Sequence, residues 1–576
     1  MQRERVLWFP PLIMRFRTVL LLVAMACLAA APDAAARGAA AGRGLAPKSD
    51  WRAWWDLNRE HLVGFRHLLF KHAPLTGEAR PERPDVLAGF RPVVRDELRK
   101  ICVSKQGRSL RAAALLAMGR MGDEREALAA LRVLHDRSQP ADVHEAALLC
   151  IATLDRIGRD TVRDSVRNTL DSFVDHPDRL TKRTRAIAIM ATGLRARKDR
   201  RLLVTLLKQM VGTATTSEDA AAIAFAAGLA GDAMLFPELL RGARTGKFAG
   251  VELDDVAHSH VVLALGRLAD TAAATSLADL MRKRKLGVQT ARATALGLGR
   301  LLAGDKLAQK TRRALEAALF DAFDKRSDVT LRGFCALALG GAREPARVEQ
   351  LLRAFAKGGA AELRPYTALA LGLAARAREG KTPARIRGVL AERLDKAKNP
   401  DFAAALCIAL GLSGAQGARI PLVKRLRSTT LPSELRGAAA QGLGLLGRTS
   451  VGIESMVLRE LENAPTDLIG DVALALGLIG KRSAGGALVG LLKDARSAHS
   501  RGKVIVAMGH LGHPMSAQPL FLMLEDQRNS DMVRTHCIVA LGLLGDPRET
   551  DALFDIDAGF NYLATTPATR TLIGFY

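Results

Sequence analysis

The chain is dominated by a short phrase that recurs about every 35 residues. A run of Ala, Leu and Gly followed by a turn appears as ALALGLIG at 473–480 and as ALGLLGDP at 540–547. With a degenerate copy, ATLDRIG at 152–158, there are thirteen copies, and twelve intervals cover the 423 residues from Gly119 to Gly542. A period in the thirties with two apolar helical stretches per unit predicts an all-α solenoid of helix–turn–helix repeats.

Each copy predicts one inner and one outer helix. Apolar residues at helical spacing before the glycine, as in Ala473–Leu476, are typical of a buried inner helix. The amphipathic stretch ALVGLL at 487–492 is typical of an outer helix. We expect the repeat glycine to end the inner helix in a left-handed conformation. We also expect the small Ala and Gly residues to let neighbouring helices approach closely.

The phrase A-L-G-x-[LI]-G-[DR] with a trailing L-x-x-L-L helix resembles the HEAT-like repeat family, in the short bacterial form first associated with phycobilisome lyases. The resemblance covers residues 108–550, about three quarters of the chain. It implies an α-solenoid superhelix of about 13 repeats with a cap at each end. The Trp-rich start and the N-Y-x-x-x-T-P end resemble large secreted bacterial HEAT-repeat proteins. Because many unrelated proteins use this repeat as a scaffold, the resemblance implies a fold rather than an activity.

The first 36 residues predict a secretory signal peptide. Basic residues at the start of the segment 15–36 precede the apolar run Thr18–Ala31, and small residues follow at 34–36. Met14 directly precedes this segment, and we expect translation to start there. Cys27 lacks the Leu that a lipoprotein signal places before it, so lipidation is not expected. The sequence therefore predicts an exported protein of the cell envelope or exterior, with no transmembrane segment in the mature chain.

The two ends of the chain differ from the repeats. Residues 37–50 predict a disordered linker, and 551–576 a C-terminal cap. Residues 51–107 predict an N-terminal helical cap. Its first helix carries three tryptophans: Trp51, Trp54 and Trp55. They are interpreted as aromatics laid over the first repeat, and the alternative is an aromatic docking site for a partner.

The sequence predicts no catalytic, cofactor or metal site. It contains no GxSxG, P-loop or HExxH pattern. The cysteines after the signal form no CxxC, and three of them (Cys335, Cys407 and Cys537) stand where other copies carry Ala or similar residues. We expect all five to be small buried hydrophobes. His510 with His513, and His258 with His260, have no further residue nearby to complete a metal site.

One enzyme of similar fold needs separate consideration. Deoxyhypusine hydroxylase resembles this chain in fold and holds two irons with several His-Glu dipeptides in successive inner helices. This chain has one such pair, His144-Glu145. A single pair cannot hold two irons, so the resemblance does not extend to that activity.

The formal net charge of +26, from 85 basic and 59 acidic residues, raises a second possibility. Stacked repeats would align basic turns into a stripe along one edge, as a polyanion requires. The alternative is a set of solvated turns. The candidate residues are Arg179, Lys182, Arg183, Arg185, Arg195, Arg197, Lys198, Arg200, Arg201, Arg282, Lys283, Arg284 and Lys285.

The leading hypothesis is a non-enzymatic scaffold or adaptor that binds a protein partner through an extended solenoid surface in the cell envelope. The alternative is a module that binds nucleic acid or an acidic glycan through the basic turns. Both hypotheses leave the identity of the partner and the oligomeric state open.

Overall fold

A computed structural model describes residues 50–63 and 86–574, apart from gaps at 88, 156, 176–179, 213, 215, 269–270, 284, 305–306, 377–379, 448–451, 480–484, 496 and 549–560. The predicted signal peptide and residues 37–49 of the predicted linker lie outside the described residues. Within the described part there are 28 α-helices, from α1 (Asp50–Val63) to α28 (Pro567–Gly574). None of these helices is long and apolar enough to cross a bilayer.

Helices α2 to α27 alternate between an outer and an inner layer. Across the described ranges, the outer layer consists of thirteen helices: α2 (Arg91–Val103), α4 (Glu124–His135), α6 (Asp160–Asp175), α8 (Leu202–Gly212), α10 (Phe236–Thr245), α12 (Thr271–Arg282), α14 (Gln309–Lys325), α16 (Pro345–Lys357), α18 (Lys381–Lys396), α20 (Arg419–Arg427), α22 (Ile453–Glu462), α24 (Gly485–Asp494) and α26 (Ala517–Glu525).

Each outer helix is followed by an inner helix, and the two form one repeat. The same ranges give thirteen inner helices: α3 (Arg108–Met121), α5 (Ala141–Thr153), α7 (Lys182–Ala196), α9 (Ser217–Ala230), α11 (Asp255–Arg267), α13 (Val288–Ala303), α15 (Val329–Leu339), α17 (Leu363–Arg376), α19 (Pro400–Leu412), α21 (Ser433–Gly447), α23 (Ile469–Ile479), α25 (Ala498–Leu511) and α27 (Asp531–Gly545). The predicted all-α array of about 13 HEAT-like repeats is confirmed, and we number the repeats 1 to 13.

A β-hairpin interrupts the helices within repeat 5. Strands β1 (Lys247–Phe248) and β2 (Val251–Glu252) pair antiparallel between α10 and α11. The two turn residues between them, Ala249 and Gly250, both have positive φ, 49° and 78°. Such a turn matches the natural twist of a short hairpin.

In the described repeats the repeat glycine lies inside its helix, except in repeat 7, where Gly340 follows the last residue of α15 with φ −57°. None of these glycines has a positive φ, so the predicted left-handed cap is wrong for this residue. Gly542 stands three residues before the end of α27 and has no positive φ. Its role is close approach. A Cβ at Gly444 would lie 2.7 Å from the Cα of Ala475 in the next inner helix, closer than carbon atoms pack. The expected close approach through small residues is therefore confirmed.

A basic residue eight positions before the repeat glycine joins the two layers. Arg436 Nε donates to the carbonyl of Leu426, at the end of its own outer helix, at 2.9 Å. Since the last carbonyls of a helix have no partner within it, this bond satisfies one of them. In the described residues eight repeats share this contact, and the donors are Arg111, His144, Arg185, His258, Arg332, Arg436, Arg501 and Arg534. Arg364 donates instead to Gly359 in the loop after α16.

The array closes on itself. Every inner helix contacts the next one along the chain, and α27 of repeat 13 contacts α3 of repeat 1. At the junction the rings of Phe90 and Phe521 meet edge to face with centroids 5.0 Å apart. Arg91 Nη1 donates to the carbonyl of Gly545 at 2.6 Å. The thirteen repeats thus form a ring, and repeats 1 and 13 have neighbours on both sides.

The junction repeats the contacts found inside the array. Arg501 Nη1 donates to Asn529 Oδ1 at 3.3 Å between repeats 12 and 13, and Arg534 Nη2 donates to Gln106 Oε1 at 3.1 Å between repeats 13 and 1. Asn529 and Gln106 both lie thirteen residues before their repeat glycine. The junction is therefore in the same register as an ordinary step between repeats.

The inner face of the ring as the candidate functional site

The ring encloses a lumen that the inner helices line. Thirteen helices at the usual spacing of about 9 Å form a circle about 37 Å across at their axes, which leaves a lumen of roughly 27 Å. Helical spacing turns the residues three and six positions before each repeat glycine toward this lumen. We call this surface the inner face. The inner face is largely apolar. If water filled the lumen, a large hydrophobic surface would be in contact with solvent.

The N-terminal helix α1 lies on the inner face at repeats 9 and 10. Trp51 Nε1 donates to Asp401 Oδ2 at 2.7 Å, and Arg52 Nε donates to Asp401 Oδ1 at 2.8 Å. Trp55 Nε1 donates to Gln441 Oε1 at 2.8 Å. The side chains of the three tryptophans are buried, with 2–5% of their surface exposed. The site thus combines burial of indole rings with a polar acceptor for two of the indole N–H groups.

Gln441 is oriented by a second bond. Its Nε2 donates to Asp471 Oδ1 at 2.7 Å, so Oε1 is the amide atom that faces Trp55. Gly437 leaves room for this carboxylate, because a Cβ there would lie 2.4 Å from Asp471 Oδ2. Three consecutive inner helices, α19, α21 and α23, therefore contribute to holding α1.

The prediction that the tryptophans cover the first repeat is wrong. Repeat 13 occupies the side of repeat 1 that such a cap would cover. Helix α1 binds elsewhere, at Asp401, which lies 350 positions after Trp51 in the chain. The predicted cap region also contains α2, which is the outer helix of repeat 1. The ring leaves no terminal repeat for a cap to cover.

The C-terminal segment lies on the inner face at repeats 3 to 8. The Tyr562 ring contacts Phe334 edge to face at 5.9 Å, and its hydroxyl lies 3.5 Å from that of Tyr366. The His260 Nε2–H donates to the carbonyl of Ala564 at 3.0 Å, and α28 contacts α7. Burial lowers the pKa of His260 to about 4, so this imidazole is neutral at pH 7. The predicted C-terminal cap therefore also lies within the ring, as far as its described residues show.

Repeats 11 to 13 leave part of the inner face open. In repeats 1 to 10 the residue three positions before the repeat glycine is buried. Repeat 2 has Ala152 in place of this glycine, and positions are counted from Ala152 there. The corresponding residues Leu474, Val506 and Val539 are partly exposed. Partly exposed polar side chains flank them one turn earlier: Asp471, Lys503 and His536. We call these six residues the open sector, and it adjoins the α1 site through Asp471.

Most of the predicted basic patch between 179 and 201 is already paired. Arg185 Nη1 lies 2.9 Å from Asp219 Oδ2 and is buried. Arg195 donates to the carbonyl of Leu154 at 2.7 Å, and burial lowers its pKa. Three further residues, Arg183, Lys198 and Arg200, form ion pairs with Glu145, Asp155 and Asp232. The bonds of the buried Arg185 and Arg195 stabilise the ring, whereas the exposed ion pairs contribute little to stability.

The other predicted basic residues are more exposed. Arg282 pairs with Asp279 at 2.9 Å. Arg179 and Arg284 lie outside the described residues. The remaining residues of the set, Lys182, Arg197, Arg201, Lys283 and Lys285, are exposed. Binding of a polyanion stays a prediction, with fewer residues to support it.

The cysteines and the His-Glu pair have structural roles. The five described cysteines are buried, free thiols, as predicted. His144 bonds the carbonyl of Asp136, and Glu145 is buried between repeats 2 and 3, where Arg183 and Thr184 donate to it. Burial raises the pKa of Glu145. No group of three or more His, Cys, Asp or Glu side chains in the described chain is arranged to hold a metal ion.

Sequence reasoning missed the acceptors that hold α1. Gln441 occupies a position where most repeats carry Leu or another apolar residue, and Asp471 one where most carry Ala or an aromatic residue. A polar residue on an otherwise apolar inner helix was the available signal, because burial requires such a group to find a partner.

The chain is thus a closed ring of HEAT-like repeats whose inner face binds two segments of the same chain. No protein-family model matches it, and no curated protein matches it in sequence. Among solved structures it is similar to importin beta (TM-score 0.35, 12% identity, 80% of this chain and 75% of that one). It is also similar to Kap121p (0.37, 13%, 82% and 56%) and to human deoxyhypusine hydroxylase (0.21, 15%, 62% and 96%). These similarities extend no further than the helical-repeat fold.

Proposed function

We propose that this protein is a non-enzymatic scaffold or adaptor that binds a protein partner on the inner face of its ring. The observation that carries the proposal is the open sector. Three consecutive repeats partly expose one apolar residue each, Leu474, Val506 and Val539, whereas the equivalent residues of repeats 1 to 10 are buried. A contiguous apolar strip with a polar rim is typical of a protein-binding surface.

The occupied part of the inner face supports the same proposal. It holds a helix at repeats 9 and 10 and the C-terminal segment at repeats 3 to 8, in both cases through aromatic side chains and hydrogen bonds to inner helices. A partner segment in the open sector would extend this interface by three repeats. Gln441 and Asp471 form the border between the two regions.

The proposal includes the cell envelope as the setting and the phycobilisome-lyase-type HEAT repeat as the repeat class. The setting rests on the signal-peptide pattern of the first 36 residues, and the repeat class on the A-L-G phrase. Processing after residue 36, detected by N-terminal sequencing of the protein purified from its native envelope, would support export. An intact N-terminus in the cytoplasmic fraction would contradict it.

The test of the binding function is retention of a partner by immobilised protein. Val506→Glu places a charge in the open sector, whereas Met515→Glu places one on an exposed turn between α25 and α26. A discrete protein from an envelope extract should stay bound to the wild type and to the Met515 variant through 0.5 M salt, about a fivefold rise in ionic strength from 0.1 M. It should be lost from the Val506 variant. Equal retention by all three would refute docking in the open sector.

A polyanion-binding module is the second candidate, because the chain carries a formal net charge of +26 and exposes Lys182, Arg201, Lys283 and Lys285. Binding of this kind weakens steeply with salt. We expect bound nucleic acid or acidic glycan to be released from the protein at moderate salt. The double substitution Lys283→Ser with Lys285→Ser should lower the salt concentration at which this release occurs. A partner that is unaffected by these changes would leave the scaffold as the better account.

A further inference from the structure

The site that holds α1 has the features of an interface between two chains. The helix binds inner helices 350 and 386 residues away in sequence, and its contacts are those of an inserted ligand. Burying three indoles favours docking, whereas ordering fourteen residues opposes it, so the net binding free energy is a small difference between large contributions. Asp401, the main acceptor, keeps 39% of its side chain exposed, and solvent therefore reaches the contact.

The site is also specific for one arrangement of side chains. Asp401 accepts from Trp51 with one carboxylate oxygen and from Arg52 with the other. Gln441 accepts from the indole one helical turn later, that of Trp55. A helix that fits must therefore carry Trp, Arg at the next position and Trp four positions after the first, because this spacing places both indoles on one face.

Residues 64–85 connect α1 to the ring. A segment of 22 residues spans about 75 Å when extended, roughly twice the width of the ring at its inner helices. Release of α1 from the site is therefore compatible with its remaining attached. While attached, α1 competes at an effective concentration in the millimolar range. A second helix displaces it only by binding more tightly or by making additional contacts.

We propose that α1 is a displaceable intramolecular ligand and that the site at Asp401, Gln441 and Asp471 takes a helix of the same Trp-Arg-x-x-Trp chemistry from a partner protein. The adjacent open sector provides the additional contacts, so a partner bound to both regions outcompetes α1. This inference deepens the proposed function, and it rests on the proposal that the inner face is a docking surface for a protein partner. The bound α1 keeps the site closed until such a partner arrives.

The first test uses a fluorescein-labelled peptide of residues 48–63 and the full mature chain. The variant W51A/W55A weakens the resident helix and should bind the peptide saturably, whereas the wild type should bind it far more weakly. Adding Asp401→Ala to that variant should lower the affinity by about tenfold or more. A peptide with Trp51→Ala is the matched control and should bind no variant. If the folded W51A/W55A chain does not bind the peptide, or if Asp401→Ala has no effect, the proposal is wrong.

The second test does not alter α1. A protease site placed between residues 64 and 85 allows the connection to be cut in the folded protein. All tryptophans of the mature chain lie in α1, so tryptophan emission of the ring fraction measures bound helix directly. We expect the ring fraction to lose its tryptophan emission when the cut protein is diluted and the released helix is removed by size-exclusion chromatography. Emission that persists through repeated dilution would show that α1 is a permanent part of the core.

These tests are separate from the test of the proposed function. Loss of envelope-protein retention from the Val506 variant does not depend on whether α1 is displaceable. Conversely, specific peptide binding at Asp401 would stand even if no envelope protein bound the open sector.

Discussion

The closure of the ring predicts the sign of a single substitution. Gly542 lies in α27, and the atoms that a Cβ there would meet all belong to repeat 1: Ala117 Cβ at 2.9 Å, Ala117 Cα at 3.1 Å and Arg120 Cδ at 3.7 Å. In a helix, Gly→Ala is worth about 1 kcal/mol of stabilisation. Overpacking against a helix at these distances costs about 1–3 kcal/mol. In the closed ring we therefore expect Gly542→Ala to lower the free energy of unfolding by about 1 kcal/mol.

In an open solenoid the same substitution would have the opposite effect. Without repeat 1 beside it, a Cβ at position 542 would meet none of these atoms, and only the gain in helix propensity would remain. The sign of the change therefore distinguishes a ring from an open array.

Two matched controls bracket the result. Gly509→Ala alters the equivalent residue inside the array, where a Cβ would lie 2.8 Å from the Cα of Ala540, and it should destabilise to a similar extent. Gly490→Ala lies on the outer helix α24 with no atom within 4 Å, and it should stabilise by about 1 kcal/mol.

The assay is urea unfolding followed by far-UV circular dichroism, with tryptophan emission as an independent probe of α1. The midpoint and slope give the change in the free energy of unfolding for each variant. If Gly542→Ala stabilises as Gly490→Ala does while Gly509→Ala destabilises, the ring is open in solution and the reasoning is refuted.

Three further outcomes are expected. Asp401→Ala should weaken docking of α1 by about 1–2 kcal/mol, shifting tryptophan emission to the red at lower urea, whereas Glu392→Ala, which loses an exposed ion pair with Lys396, should not. Burial lowers the pKa of His260 to about 4 in the folded protein, whereas an unfolded chain protonates this imidazole at about pH 6.5. As the pH falls below 6.5, protonation of His260 therefore favours the unfolded chain. Unfolding free energy should thus be highest above pH 6.5 and fall by about 3 kcal/mol toward pH 4, and His260→Gln should remove that component. The five buried cysteines, whose thiol pKa values burial raises, should resist iodoacetamide at pH 8 until urea is added, and labelling of the native protein would contradict their burial.

The sequence predicted the repeating unit because its physical causes are local. Helical spacing of apolar residues identifies the inner helix, and the small residues around each glycine reflect the close approach of the next helix. The basic residue eight positions before the glycine, as in Arg436 and Arg501, is a signal of the same local kind that sequence reasoning missed. Its recurrence at one position reflects a repeated structural contact, which accounts for part of the arginine content.

Closure and the placement of α1 depend on contacts that no local pattern contains. A small change in the angle between repeats decides whether thirteen of them form a spiral or a ring, and the period does not report that angle. One indication was present. The phrase around Gly542 is as apolar as those in the middle of the chain, although a repeat at a free end requires a polar outer side. The bond between Trp51 and Asp401 joins residues 350 positions apart, beyond the reach of pattern analysis.

The ring makes the number of repeats a fixed quantity. Thirteen equal steps turn the chain through a full circle at about 28° each, and twelve would require about 30° at every joint. An open array can gain or lose a terminal unit without strain, but here a deletion must be absorbed by all the remaining joints at once. Circular permutation, in contrast, keeps the count unchanged. New termini in a turn between outer helices and inner helices should therefore be tolerated better than the loss of any one unit.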